Sequence, residues 1–363
     1  MSRRTGLLGL GAALVAAGAG TAIGLAAERW TVRRTTSGET DPGLGALTGD
    51  VWPVVTADGT KLHVEVDELP DGADVPLTVV FSHGYCLSRQ SWHFQRQALR
   101  GRYRMVFWDQ RGHGLSDAGP KGSCTVDQCG HDLQTVLAAV APTGPVALVG
   151  HSMGGMTIMA LALHAPELVR SRVVGVALVA TSAGGLANVH WGLRGQLGAV
   201  AHKVVPAAVA GLARVPALVN RSRRIGSDFQ QVMVARYSFA SRVPESLARF
   251  TAEMIASTPI DVVAEYLPTF DLHDKHEALA ALDGIDTLVL SGADDLLTPP
   301  EHSEEIVRRL PGADQVLVPD AGHLVMLEHP DLVTEAIGDL LERAERAVRD
   351  MGTGKRARRR RSA

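Results

Sequence analysis

The sequence predicts an α/β fold: a doubly wound, mostly parallel sheet with a helical cap inserted between two of its strands. Three observations predict it. Short β-branched runs alternate with helical patterns along most of the chain, as in successive strand–helix–strand crossovers. Most of those runs are continuously apolar rather than alternating, the mark of strands buried on both faces. One long stretch, 184–275, has helical patterns and no strand run, and it lies between two predicted strands.

In chain order, residues 6–27 carry no charge and are rich in Ala, Gly, Leu and Val. As a helix, these 22 residues would span roughly 33 Å, enough for a bilayer core. Arginines bracket the segment, Arg3 and Arg4 before it and Arg29, Arg33 and Arg34 after it. Residues 1–34 are therefore expected to form a single-pass membrane anchor or an export signal; Ser2-Arg3-Arg4-Thr5 resembles the start of a twin-arginine signal. The Gly-, Thr- and Asp-rich segment 35–50 reads as a linker. The body, 51–350, opens with an alternating strand pattern over 61–68. Buried-strand runs follow at 77–81, 103–108, 146–149, 174–179, 287–290 and 315–318. Helical patterns fit between them at 88–99, 125–140, 153–164, 301–309 and 330–348. The cap is expected at 184–275, and 351–363 reads as a basic, disordered tail without apolar period.

Composition narrows the function classes. The 363 residues carry a net charge of −3, but the tail residues Lys355, Arg356 and Arg358 to Arg361 contribute six positive charges. Removing those six leaves −9 for everything before them, a poor surface for nucleic acid. The tail alone suits either a solvated end or attraction to anionic lipid or nucleic acid. The three cysteines, Cys86, Cys124 and Cys129, cannot all pair within one chain and form no C-x-x-C, which argues against a disulfide scaffold and structural zinc. A Cys124–Cys129 bridge stays open for an exported domain.

In a doubly wound sheet the working residues lie beyond the carboxyl ends of the strands, and the polar residues of this sequence concentrate there. Gly150-His151-Ser152-Met153-Gly154-Gly155 follows the run 146–149 and precedes a helical pattern. The spacing G-x-S-x-G at a strand-to-helix turn exposes a strained serine at the head of a helix. Its glycines are required because a Cβ at those positions would meet neighbouring backbone. A serine hydroxyl needs a base. His323, in the loop Asp320-Ala321-Gly322-His323 before the last helix, is placed to supply it. His151 should point away across the turn, His83 and His113 suit structural roles in loops, and His329 suits the adjacent turn. The base in turn needs an acid to fix its tautomer, and Asp294 or Asp295, beyond the penultimate strand, can serve.

With these residues in place, the chain resembles the α/β-hydrolase fold family, in its serine-nucleophile, esterase- or lipase-like branch. Four blocks carry the resemblance: Phe81-Ser82-His83-Gly84, Asp109-Gln110-Arg111-Gly112-His113-Gly114-Leu115-Ser116, the elbow around Ser152, and Ala321-Gly322-His323. The family's G-x-x-D-x-x-x-P pattern selects Asp295 over Asp294, leaving Asp294 to cap the following turn. The resemblance implies Ser152, Asp295 and His323 as catalytic residues, with the backbone N–H groups of Tyr85 and Met153 as the oxyanion hole. It implies a mostly architectural role for residues 109–116. Serine rather than aspartate at the elbow points to acyl transfer and away from the epoxide-hydrolase and haloalkane-dehalogenase branches.

The expected activity is hydrolysis of a carboxylic ester through an acyl-enzyme on Ser152, without cofactor or metal. Carbon–carbon bond hydrolysis or cofactor-free perhydrolysis on the same triad is the alternative, and a ligand receptor with a slow triad is another. The cap holds Phe229, Phe239, Phe250 and Phe270 with Trp191, Tyr237, Tyr266, Met233 and Met254. These residues form the cap's own core or, in part, an acyl site for a small apolar ester.

Overall fold

The computed structural model describes residues 36–37, 43–70, 77–189, 211, 213–214 and 236–361, without side chains for 36–37, 188 and 351–361. The apolar segment 6–27, Trp191, Phe229 and Met233 lie outside the described residues. Among the described residues no helix is long and apolar enough to cross a membrane.

Ten strands are present among the described residues: β1 (Thr36–Ser37), β2 (Asp50–Val55), β3 (Lys61–Asp67), β4 (Thr78–Ser82), β5 (Arg104–Trp108), β6 (Val146–His151), β7 (Val173–Val179), β8 (Val243–Pro244), β9 (Asp286–Gly292) and β10 (Asp314–Val318). Eight of them form one sheet in the order β10-β9-β7-β6-β4-β5-β3-β2. The pairs from β10 to β5 are all parallel. The β5–β3 and β3–β2 pairs are antiparallel. From β4 the chain adds β5 on one side and β6, β7, β9 and β10 in turn on the other, the reversal that a doubly wound sheet requires.

The apolar runs of β4, β5, β6, β7 and β9 are buried on both faces, as their lack of alternation requires. The run at 315–318, expected to be buried as well, is not, because β10 lies at the sheet edge with only Val318 buried and Leu317 exposed. Val79, Phe81, Val149, Ala177 and Leu290 belong to one core layer, and Val80, Leu148, Val176, Leu178 and Val289 to the other. The first layer is closed by α1 (His93–Leu99) and by α9 (Pro330–Arg361), the last helix of the chain. On α9, Val333, Ile337, Leu340, Leu341 and Ala344 recur every three or four residues and are fully buried, so one stripe faces the sheet. Burying each of the larger side chains contributes about 1.5–3 kcal/mol. The second layer is closed by α2 (Val126–Val140), α3 (Met153–His164), α4 (Pro166–Arg172) and α7 (Pro300–Arg309). Helix α2 starts where it does because the Thr125 hydroxyl accepts the Gln128 N–H at 3.1 Å, satisfying one of the orphan donors of the first turn.

Four further features depart from the sequence expectations. An edge strand, β2, precedes the first one expected; its residues Val51, Trp52 and Val55 are exposed, so it carries no buried-strand signature. Helix α4 is short, with only Val169 buried, and Pro166 opens it at the position where a missing N–H costs nothing. The cap region holds a strand after all, the two-residue β8, paired in parallel with β1. Finally, α9 continues to Arg361 instead of giving way to a disordered tail at 351. Past Gly352, Thr353 and Gly354, which disfavour a helix, its Lys, Arg and Ala are good helix formers without an apolar stripe, and cations suit a helix C-terminus. Of the cap, the described part comprises a turn at Leu186–Asn188 and the helices α5 (Glu245–Ser257) and α6 (Ile260–Asp271). A short helix, α8 (Val325–Glu328), follows the His323 loop.

Candidate active site

The elbow is built by two glycines. Ser152 sits at φ 52° and ψ −116°, outside the regions an L-residue prefers, a conformation that costs of order 1–3 kcal/mol and persists only where surroundings enforce it. A Cβ on Gly150 would lie 2.5 Å from the backbone of Gly154, and one on Gly154 would lie 2.2 Å from the Ser82 carbonyl oxygen. The β6–α3 turn is therefore pressed against the end of β4 and the His83–Gly84 turn. The serine's own backbone is tied down on both sides: its N–H donates to Val179 O at 2.9 Å, and its carbonyl accepts the Thr181 hydroxyl at 2.7 Å. Met153 begins α3, so its N–H has no acceptor within the helix.

The Ser152 Oγ lies 2.9 Å from His323 Nε2, and His323 Nδ1 lies 2.8 Å from Asp295 Oδ2. Three strand ends, those of β6, β9 and β10, thus contribute one group each to a continuous hydrogen-bonded chain. Asp295 is buried and Asp294 is exposed, and only Asp295 meets the histidine. Asp295 Oδ1 accepts the N–H groups of Leu297 at 2.8 Å and Thr298 at 3.0 Å. The turn after β9 is thus capped by Asp295 itself, not by Asp294 as expected. Burial pushes the Asp295 carboxyl up, but the adjacent His323 and the hydrogen bonds from His323 and Thr298 outweigh it and hold the group below its ordinary value. The carboxylate is therefore charged and acts only as an acceptor.

Two further residues join this chain that the sequence did not reveal. The Thr298 hydroxyl donates to Asp295 Oδ2 at 2.8 Å and lies 3.3 Å from His323 Nδ1. Asp295-Leu296-Leu297-Thr298 is an Asx-type turn, and that spacing is the signal that could have found it. His151 does not point away from the site. Its Nε2 lies 2.9 Å from the His323 carbonyl oxygen, and the two rings are 4.9 Å apart. Burial lowers the His151 ring to about 3, so it is too weak a proton acceptor to compete as a base, and it braces the His323 loop. His329 contacts the Asp320 carbonyl, as its position at the start of a helix suggested.

The other motif blocks pack beneath the site. Asp109 accepts the Arg89 N–H at 2.8 Å and the Leu115 N–H at 2.9 Å, and pairs with the Arg89 guanidinium at 2.7 Å. Arg111 pairs with the buried Asp132 at 2.6 Å. Tyr85 follows the His83–Gly84 turn. Its hydroxyl donates to Val263 O of α6 at 2.6 Å, and its ring packs edge-on against Tyr266 and Phe270. Of the cap's aromatic and Met residues, Phe239 and Met254 join the core layer under α9, while Tyr266 and Phe270 sit with Met153 and Met156. A groove bordered by Val189, Phe239, Leu296 and His302 runs up to Asp295. The three cysteines are free thiols, which removes the Cys124–Cys129 bridge. Cys129 Sγ instead lies 3.1 Å from the Tyr266 hydroxyl. Among the described residues no cluster of three His, Cys, Asp or Glu side chains is arranged to hold a metal ion.

Comparison with known proteins places this geometry in a family. A family model described as alpha/beta hydrolase fold matches residues 78–330. The chain is 29% identical over 289 residues to the sn-1-specific diacylglycerol lipase ABHD11 of Mus musculus, covering 78% of this chain and 87% of that protein. It is 24% identical over 278 residues to 3-oxoadipate enol-lactonase 1 of Acinetobacter baylyi, covering 77% and 92%. Among solved structures, a thermophilic esterase from Thermogutta terrifontis matches with a TM-score of 0.62 at 28% identity, over 82% of this chain and 100% of the esterase.

Proposed function

The chain belongs to the alpha/beta hydrolase fold family, and from that premise we propose that it hydrolyses carboxylic esters through an acyl-enzyme on Ser152. The observation that carries this reading is the unbroken chain of hydrogen bonds from Ser152 through His323 to Asp295, at 2.9 and 2.8 Å. In this mechanism His323 Nε2 takes the proton from Ser152 Oγ as the oxygen attacks the acyl carbon. His323 Nδ1–H donates to Asp295, which fixes the tautomer and stabilises the imidazolium that forms. The N–H groups of Tyr85 and Met153 receive the developing oxyanion; one such donor is worth about 3 kcal/mol in the transition state. The tetrahedral adduct collapses, the bond to the alkoxide breaks, and His323 gives that oxygen its proton. Water then attacks the acyl-enzyme with His323 again as base, and the acid and free Ser152 are released.

The lipase and esterase relatives favour a small, apolar ester as substrate, and the enol-lactonase extends that class to cyclic esters. The uncharged segment 6–27 would hold the enzyme at a membrane or take it through one. Turnover of short p-nitrophenyl esters and fluorophosphonate labelling test the chemistry. Ser152→Ala should abolish both with the fold unchanged, and labelling that persists at another serine refutes the assignment.

A further inference from the structure

The turn that follows β4 must hold the Tyr85 N–H where an oxyanion will form, yet it is an irregular turn. Cys86 sits at φ 58°, in the left-handed region that a residue with a side chain rarely adopts. Within the turn, the Leu87 N–H donates to Gly84 O at 3.1 Å. What fixes the peptide plane between Tyr85 and Cys86 comes from elsewhere: the Cys86 N–H donates to His113 Nε2 at 3.0 Å. His113 Nδ1 faces the Arg111 carbonyl oxygen at 3.0 Å, so the ring carries its proton on Nδ1 and offers the Nε2 lone pair to Cys86. Burial lowers the ring to about 3, which keeps that lone pair in place.

The contact is answered in the opposite direction. His83, on the turn itself, has Nδ1 2.7 Å from Gly84 O, and its Nε2 accepts the Gln110 N–H at 2.9 Å. Gln110 also donates to His83 O, 2.5 Å away, and its side-chain oxygen accepts the Thr157 hydroxyl of α3 at 2.6 Å. The two loops are therefore clasped by two neutral histidines, each accepting a backbone N–H from the other loop. Gln110 links the clasp to the helix that starts at Met153. Both proposed oxyanion donors are held by one buried network, and none of its side chains belongs to the triad.

We infer that His113 is a positioning residue for the oxyanion hole, acting through the hydrogen bond that its Nε2 accepts from the Cys86 N–H. The inference rests on the esterase reading of Ser152, Tyr85 and Met153. It assigns a role within the hydrolysis reaction to residue 113, in a loop otherwise read as architectural.

Two substitutions separate this role from general packing. The Gln side chain can place an acceptor near the position of Nε2, whereas the Asn side chain reaches only the position of Nδ1. His113→Gln should keep kcat within about threefold of wild type. His113→Asn should lose between about tenfold and a hundredfold in kcat, below the roughly 10²–10³ that removal of an oxyanion donor costs, with KM changed less than about twofold because the ground state makes little use of the oxyanion donors. Equal kcat for the two variants, or a loss residing in KM, overturns the inference alone. Absence of wild-type turnover and of Ser152 labelling overturns the esterase reading and this inference with it. A third measurement needs no variant: hydrogen exchange of the Cys86 amide in wild-type protein should be as slow as that of the core strands. Exchange as fast as an exposed loop amide shows that the contact does not hold the turn.

Discussion

Asp295→Asn is the substitution whose cost can be worked from the structure. The carboxylate meets only donors: Leu297 N–H and Thr298 N–H at Oδ1, and the Thr298 hydroxyl and His323 Nδ1 at Oδ2. An amide has one oxygen, so one side of the substituted side chain must present N–H to donors. If the oxygen stays with the two backbone N–H groups, the NH2 group faces His323. The ring can accept that hydrogen only by moving its proton to Nε2, which then points N–H at Ser152 and leaves no base. If the amide turns round, two backbone donors in a buried turn lose their acceptor, costing about 1–3 kcal/mol each. The first arrangement is the cheaper, and a base held in the wrong tautomer lowers kcat on the order of 10⁴-fold, about 5 kcal/mol of barrier. Asp294 is exposed and does not face the histidine, so Asp294→Asn should stay within about twofold. The assay is initial-rate hydrolysis of a p-nitrophenyl ester by folded variants with matched melting temperatures. A loss under about tenfold for Asp295→Asn, or a larger loss for Asp294→Asn, would refute the reasoning.

The remaining predictions concern pH, packing and location. Burial depresses His83 to about 4 and His113 and His151 to about 3, against about 6.5 when unfolded. The unfolded chain therefore binds more protons below about pH 6.5, and stability present above that pH is lost as pH falls towards about 4, by up to about 4 kcal/mol per pH unit for three such groups; a melting temperature unchanged between about pH 7 and about 4.5 would contradict this. Gly154→Ala places a Cβ 2.2 Å from the Ser82 carbonyl oxygen and 2.8 Å from that of His83, so it should cost roughly 1–3 kcal/mol or more in a denaturant melt and impair labelling of Ser152; a stable, fully active variant would show that the elbow can relax. Full-length protein should sediment with membranes and resist an alkaline wash, while a chain beginning at Asp50 should remain soluble and active; full-length protein in the soluble fraction would refute the anchor.

The fold was legible wherever a segment is buried on both faces. The runs that became β4, β6, β7 and β9 have no solvent side, so hydrophobicity alone marks them. β2 escaped because it is an edge strand with Val51, Trp52 and Val55 in solvent, and α4 because a seven-residue helix with one buried side chain has no period to detect. The end of α9 was misplaced for a related reason. The buried apolar stripe ends at Ala344 among the residues up to 350, but the helix continues to Arg361.

The site divides along a similar line. Ser152 and His323, the proposed nucleophile and base, were legible because they sit in turns whose glycines are demanded by close backbone approach, and glycine spacing survives in the sequence. The supporting residues were not legible because their roles depend on what faces them across the fold. Nothing in the order of residues says that Thr298 turns its hydroxyl to Asp295, or that His151 looks back at the loop of His323 rather than away from it. His83, His113 and His151 are three histidines at strand or loop ends, chemically indistinguishable from a base in the sequence. Burial removes them from that role by making each ring a poor proton acceptor, and backbone occupies a ring nitrogen of each: Gln110 N–H, Cys86 N–H and the His323 carbonyl. His323 differs in what its two nitrogens meet, a carboxylate on one side and a hydroxyl on the other. That difference, not proximity to the serine in sequence, selects it as the proposed base.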